Sequence, residues 1–285
     1  MLATAGALAG VVPPTAFAAS ASRAASDGTS SNATIAAPAT LNSDWLEDLT
    51  STELQDRIRA GTTTLLVPIG GVEQSGPGIA LGKHNQRVRV LVQRIAEALG
   101  NAVIAPVVAY VPEGNLAPPT SHMRFTGTIS VPDDVFVKTL IAAAESLQVH
   151  GIKDVVFLGD HGGYQKLLEQ ATVQLNRRWA GKAHAFAPPA YYRASSEGFA
   201  TWLRGKGYAS DEIGQHAGLA DASLQLAVAP QSVRLQRLQN GAPPGLADGV
   251  QGNARRASAQ LGQAGVEVVV RETVAAIRQA VASER

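Results

Sequence analysis

The chain has 285 residues, six histidines, no cysteine and a formal net charge of +1. A hydrophobic content of 45% fills a sizeable core and excludes wholesale disorder, and 24 basic against 23 acidic residues point to no nucleic acid and no membrane as partners. Without cysteine there is no disulfide scaffold, thiolate zinc site or cysteine nucleophile, so histidine and carboxylate must hold any metal.

Residues 1–19 carry no charged side chain: an apolar run, Pro13-Pro14, then Ala16-Phe17-Ala18, the small-x-small pattern of a signal-peptidase site. They are expected to be a signal peptide that exports the protein to the periplasm or the exterior; without such processing it stays in the cytoplasm. The run is too short to span a bilayer, which takes about 20 residues. Residues 20–40, rich in Ala, Ser and Thr, read as a linker, and a single domain follows over 41–285.

Ser51-Thr52-Glu53 opens a short helix that Gly61 stops. Thr63–Ile69 is a continuous apolar run ending in Gly70-Gly71, which suits a buried parallel strand. A helix is expected over 86–99, a strand over 102–110 and a long helix over 132–149 with Asp133 and Asp134 in its first turn. Asp154–Leu158 is a strand, 164–179 a helix, 184–187 a short strand, and helices follow over 196–206, 217–227 and 254–262. The tail reads as strand or helix at Val268–Val270 and as helix from Glu272. Strands alternating with helices predict an α/β fold, a parallel sheet covered on both faces.

Ligands in such a sheet bind beyond the carboxyl ends of the strands. Two strands here run straight into polar clusters. One gives Gly70-Gly71-Val72-Glu73-Gln74-Ser75-Gly76-Pro77 and continues to Leu81-Gly82-Lys83-His84-Asn85; the other gives Gly159-Asp160-His161-Gly162-Gly163 before a helix. The loop Ser121-His122-Met123-Arg124 and the segment from His216 to Ser223 are also chemical in character. His150, at a helix end, and His184, at a strand start, read as structural, and Trp179 and Trp202 as core or interface.

These four segments, in this order, resemble the creatininase (creatinine amidohydrolase) family. Its members pair an EQHGPHLPLGTD-like stretch with an EHxxFPGT loop, an NGHGGN turn and a late HAGExET segment. The chain reads VEQSGPGIALGKHN, SHMRFTGT, GDHGGY and HAGLADAS at these places. The resemblance implies a three-layer α/β fold and a metal-dependent amidohydrolase, in which zinc or manganese activates water for attack on an amide carbon. The chain also departs from the pattern. The family Glu stands as Glu73 and the turn histidine as His161, but the next histidine is Ser75 and the metal-bridging aspartate is His84. The late segment's first glutamate is Leu219 and its second is shortened to Asp221; the loop glutamate is Ser121, and the asparagine closing the turn is Tyr164.

By the resemblance, Glu73, His84 and His161 surround one ion, with Asp160 as a fourth ligand or as a hydrogen-bond acceptor behind them. A second ion loses Ser75 and Leu219 as ligands, and an imidazole's one lone pair cannot bridge. The expectation is a mononuclear site for one divalent ion, zinc or manganese, with iron as a further candidate. His216 would pass a proton to the leaving nitrogen, oriented by Asp221, and Glu73 completes the catalytic set. His122, Arg124, Tyr164 and Ser75 are expected substrate contacts, Arg124 toward a carboxylate or other anion. The substrate is expected to be a small molecule with a non-peptide amide bond, cyclic amides included, and the assembly a homo-oligomer, hexameric in the family. The opposing reading keeps the fold as a non-catalytic binding protein or subunit that has lost the metal centre. A metal-free serine hydrolase fits poorly, because GVEQSGP is not of the G-x-S-x-G type.

Overall fold

The structure, a computed structural model, describes residues 43–240 and 244–284; the signal-peptide and linker readings for 1–40 lie outside the described residues. Helix α1 (Ser51–Arg59) starts at a reciprocal cap. The Thr50 hydroxyl accepts from the Glu53 amide at 3.3 Å, and the Glu53 carboxylate accepts from the Thr50 amide at 2.7 Å. Strand β1 (Thr64–Ile69), helix α2 (Lys83–Leu99) and strand β2 (Ala102–Ile104) come next, followed by helix α3 (Asp133–Gln148), strand β3 (Asp154–Gly159), helix α4 (Gln165–Trp179) and strand β4 (His184–Phe186). The remaining helices are α5 (Pro189–Arg193), α6 (Phe199–Gly205), α7 (Ser210–Ile213), α8 (Leu219–Val228), α9 (Leu235–Gln239) and α10 (Ala259–Ser283).

The strands form one parallel sheet in the order β2-β1-β3-β4. Side chains of successive strand residues point to opposite faces, and both faces are covered. Leu66, Ile104, Val156 and Leu158 pack with Val88 and Leu91 of α2 and Leu224 of α8, while Leu65, Val67, Val155 and Phe157 pack with Phe136 of α3 and Leu168 of α4. This is the three-layer α/β arrangement that the alternation of elements predicts. The order reverses between β1 and β3, where the chain turns first to one side and then to the other, so the crevice beyond those two strand ends is where a ligand belongs. No described helix is long and apolar enough to cross a membrane.

Three segments depart most from the sequence reading, and the tail takes one of the two forms left open for it. Strand β2 stops at Ile104 because Pro106 has no amide to donate; Val108 returns to the sheet only as an isolated bridge to Ile69. The helix expected over 196–206 begins earlier, at Pro189 in the first helical position, and passes through one π-turn at Ala194–Gly198. The segment 254–262 is a 3-10 turn, Ala254–Arg256, followed by the start of α10, whose amide at Leu261 is capped by the Ser258 hydroxyl. Val268–Val270 are helical within α10: Val266, Val268 and Val269 are buried against α8 and α6, and that packing overrides a β-branched preference of a few tenths of a kcal/mol per residue. The close approach of α8 and α10 depends on Gly262, where a Cβ would collide with the Ser223 carbonyl oxygen. Gly262→Ala is therefore expected to destabilise the fold by about 1–3 kcal/mol despite alanine's better helix propensity, as read by chemical denaturation. A stabilised variant would contradict this packing.

Candidate metal centre

After Ile69 the chain turns at Gly70-Gly71, whose tightness comes from two contacts. A Cβ on Gly70 would collide with Asn85, whose side-chain oxygen accepts from the Gly71 amide at 2.9 Å. Gly71, at φ 144°, leaves room for the Glu113 carboxylate, which a side chain there would displace. The turn delivers Glu73, fully buried, to the crevice between β1 and β3. His161 arrives from the end of β3, His122 from the 3-10 turn Ser121–Arg124, and Glu113 from the loop after β2, its amide donating to the Ser130 hydroxyl at 2.9 Å.

These four side chains converge. His122 Nε2 lies 3.2 Å and His161 Nε2 3.4 Å from Glu73 Oε2, and His161 Nδ1 lies 3.3 Å from Glu113 Oε2. One ligand atom from each of Glu73, Glu113, His122 and His161 lies within 4.8 Å of the others. Glu73 Oε2 and both Glu113 oxygens are buried with no hydrogen-bond partner. Carboxyl oxygens left so in a protein interior call for either a proton or a cation. Two carboxylates and two imidazoles fit a divalent ion of the zinc or manganese kind.

The charges agree with this fit. Burial alone would raise the Glu73 carboxyl, but Lys83 and His84 beside it hold it well below the carboxylate range. Burial and the Glu73 charge push Glu113 up to about 9, so without a cation it keeps its proton at neutral pH. Burial lowers His122, takes His161 to about 3 and, with Lys83 nearby, takes His216 to about 4, leaving neutral imidazoles with lone pairs to offer.

These shifts set a pH dependence for the metal-free protein. His161 and His216 protonate near 3 and 4 when folded against 6.5 unfolded, so their contribution is intact above 6.5 and is lost as pH falls. Glu113 works in the opposite direction. It holds its proton to about 9 when folded against 4.5 unfolded, so its contribution is intact below 4.5 and is lost as pH rises. The melting temperature set by these groups is expected to peak at about pH 6.5, and added zinc to raise it most on the alkaline side, because the ion takes the place of the Glu113 proton. Calorimetry across pH 5–9 with and without zinc measures this; an equal zinc effect at every pH contradicts it.

Several residues sit elsewhere than the sequence reading puts them. His84 stands outside the cluster: its Nδ1 lies 2.6 Å from Asp160 Oδ2 and its Nε2 2.8 Å from Glu73 Oε1, so carboxylates engage both nitrogens. Asp160 also stands outside the cluster, fully buried, accepting from Arg87 Nε at 2.8 Å and from the Tyr191 hydroxyl at 2.9 Å. Asp221 does not orient His216: its oxygens accept from Lys83 Nζ and Arg87 Nη1, each at 2.8 Å, and from the Ala217 amide at 2.9 Å. The His216 ring is instead held by Gln74, whose backbone carbonyl oxygen lies 2.9 Å and whose side-chain amide nitrogen lies 3.3 Å from Nε2.

Tyr164 is fully buried and contacts no cavity: its hydroxyl bonds the Ile69 and Gly70 carbonyls at 3.0 and 2.7 Å and accepts from the His161 amide at 3.0 Å. Tyr164→Phe is expected to cost about 1–3 kcal/mol in denaturation, because it strands those buried groups beneath the centre. Ser75 is buried too, and only His122 and Arg124 of the expected substrate contacts line the cavity, whose volume is about 1060 Å³. Glu113, in Val111-Pro112-Glu113-Gly114, escapes motif reading because no histidine stands beside it. The strand-end rule that flags Glu73 and His161 applies to it equally, since its loop follows β2, the neighbour of β1.

The creatininase family model, described as creatinine amidohydrolase, matches residues 47–277. Among curated relatives, 3-dehydro-scyllo-inosose hydrolase of Thermotoga maritima is 21% identical over 212 residues, 70% of this chain and 61% of that protein. Mycofactocin precursor peptide peptidase of Mycolicibacterium smegmatis is 26% identical over 189 residues, 65% of each chain. Creatinine amidohydrolase of Pseudomonas putida is 25% identical over 264 residues, 82% of this chain and 96% of that one. The match thus spans less than two thirds of the first two relatives' length. A crystal structure of creatinine amidohydrolase shares the fold at a TM-score of 0.71 and 24% identity, over 84% of this chain and 98% of that one. Creatininase structures of manganese and of zinc–zinc type superpose at a TM-score of 0.68. With most of its length matched by the family model, the chain belongs to the creatininase family.

Proposed function

We propose that the protein is a metal-dependent amidohydrolase that cleaves the C–N bond of a small amide, with one divalent ion held by Glu73, Glu113, His122 and His161. The observation that carries this reading is the set of three buried carboxylate oxygens without hydrogen-bond partners, facing neutral imidazoles. A divalent ion bound there supplies an acidified water and polarises the scissile carbonyl. The chain's own groups then have separate tasks. His216, neutral and fixed by Gln74, would take a proton from the attacking water and return it to the leaving nitrogen. Arg124, at the cavity wall, suits a carboxylate or other anionic group on the substrate. Lys83 and His84 keep Glu73 ionised by holding its other oxygen.

A fold retained only for binding has no need of three buried carboxyl oxygens turned to one point without hydrogen-bond partners, which favours the enzyme over the non-catalytic reading. The test is hydrolysis of a panel of cyclic amides and N-formyl compounds by chelator-stripped protein before and after zinc or manganese is restored. Activity that appears only with metal is expected; metal-independent turnover overturns the reading. The proposal extends to an exported homo-oligomer, hexameric by family resemblance, which N-terminal sequencing of the mature protein and light scattering check.

A further inference from the structure

We propose that the buried Lys83 ammonium is a built-in cation that fills the second face of Glu73 and limits the centre to one divalent ion. The inference rests on the metal reading above and adds a role for a residue outside the ligand set. The two oxygens of Glu73 are in different states. Oε2 makes no hydrogen bond and faces His122 and His161. Oε1 is taken by nitrogen: His84 Nε2 at 2.8 Å and Lys83 Nζ at 3.3 Å. To bridge two ions through its two oxygens a carboxylate needs both free, and this one has a single oxygen left.

Charge leads to the same conclusion. Behind Glu73, Asp221 is paired with both Lys83 and Arg87, and Asp160 with Arg87, at 2.8 Å in each case. The carboxylates without a permanent cation of their own reduce to the pair around the candidate site, Glu113 and the free edge of Glu73. One divalent ion neutralises that pair. A second would bring two further positive charges into a buried region whose carboxylates are all already matched.

The placement of Lys83 is also costly by ordinary rules. It is 1% exposed and stands in the first turn of α2, where the helix dipole disfavours a cation. A leucine or methionine would fill the same volume without that cost. Only the carboxylates of Asp221 and Glu73 compensate, so Lys83 is a positioning residue that acts through Glu73 rather than by packing.

The test is calorimetric titration of the full-length, chelator-stripped protein with zinc, for the wild type and for Lys83→Met, Lys83→Ala and Lys83→Arg, each checked for folding by circular dichroism. The wild type and Lys83→Arg are expected to bind one zinc ion per chain. Lys83→Met, which removes the repulsion while keeping the volume, is expected to bind that ion at least about tenfold more tightly. Lys83→Ala, which also opens space, is expected to bind a second, weaker ion. A lysine with a merely structural role predicts weaker binding on removal. Two ions in the wild type overturn the inference, as does one ion of unchanged or weaker affinity in both neutral variants. The latter result leaves the hydrolase reading standing, whereas no zinc in the wild type rejects both.

Discussion

Glu73→Gln is expected to remove stoichiometric metal from the protein and to lower kcat/KM by more than about 100-fold on any amide that the reconstituted wild type opens. The substitution keeps volume and shape, so the effect comes from charge. The carboxylate faces two imidazoles through Oε2 and, through Oε1, the His84 ring and the Lys83 ammonium. A carboxamide cannot satisfy both sides, because whichever edge carries its NH2 group presents a donor where an acceptor is needed. Loss of a group that merely supports a ligand costs about 10–100-fold in affinity or activity, and loss of the ligand itself should exceed that. Metal analysis of dialysed protein, together with initial rates, measures both effects. A variant with wild-type metal content would remove Glu73 from the centre.

Asp160→Asn is expected to act differently: a loss of about 3–5 kcal/mol in stability and a melting temperature lower by about 10 °C, with one ion still bound. Asp160 is fully buried and receives His84, Arg87 and the Tyr191 hydroxyl. Neutralising it leaves the Arg87 guanidinium with half of its compensation and frees the His84 ring that braces Glu73. The ion should be held more weakly, by up to about 100-fold, without changing its number. Denaturation curves and metal analysis separate the outcomes. Loss of the ion with stability unchanged would make Asp160 a ligand after all.

The sequence makes the sheet legible because β1 and β3 are buried on both faces and so read as unbroken apolar runs ending in glycine. The same feature marks Glu73 and His161, which stand just past those ends at the point where the strand order reverses. Spacing could not show which partners meet across the fold. Lys83 and Asp221 are 138 residues apart and Glu73 and His161 88, yet the first pair supports the centre and the second belongs to it. His84 has the right chemistry for a ligand and lies beside the site, but Asp160 and Glu73 use both of its nitrogens, a pairing that appears only once α2 is docked on the sheet. Glu113 was hidden for the opposite reason. Nothing in its neighbourhood is unusual until the loop after β2 folds over Gly71.

A single ion held among four named side chains is visible to anomalous scattering from crystals soaked in zinc or manganese. The predicted result is one anomalous peak per chain, within coordination distance of Glu73, Glu113, His122 and His161. A peak on His84 and Asp160, a second peak at the Lys83 side of Glu73, or no peak in this crevice would contradict it.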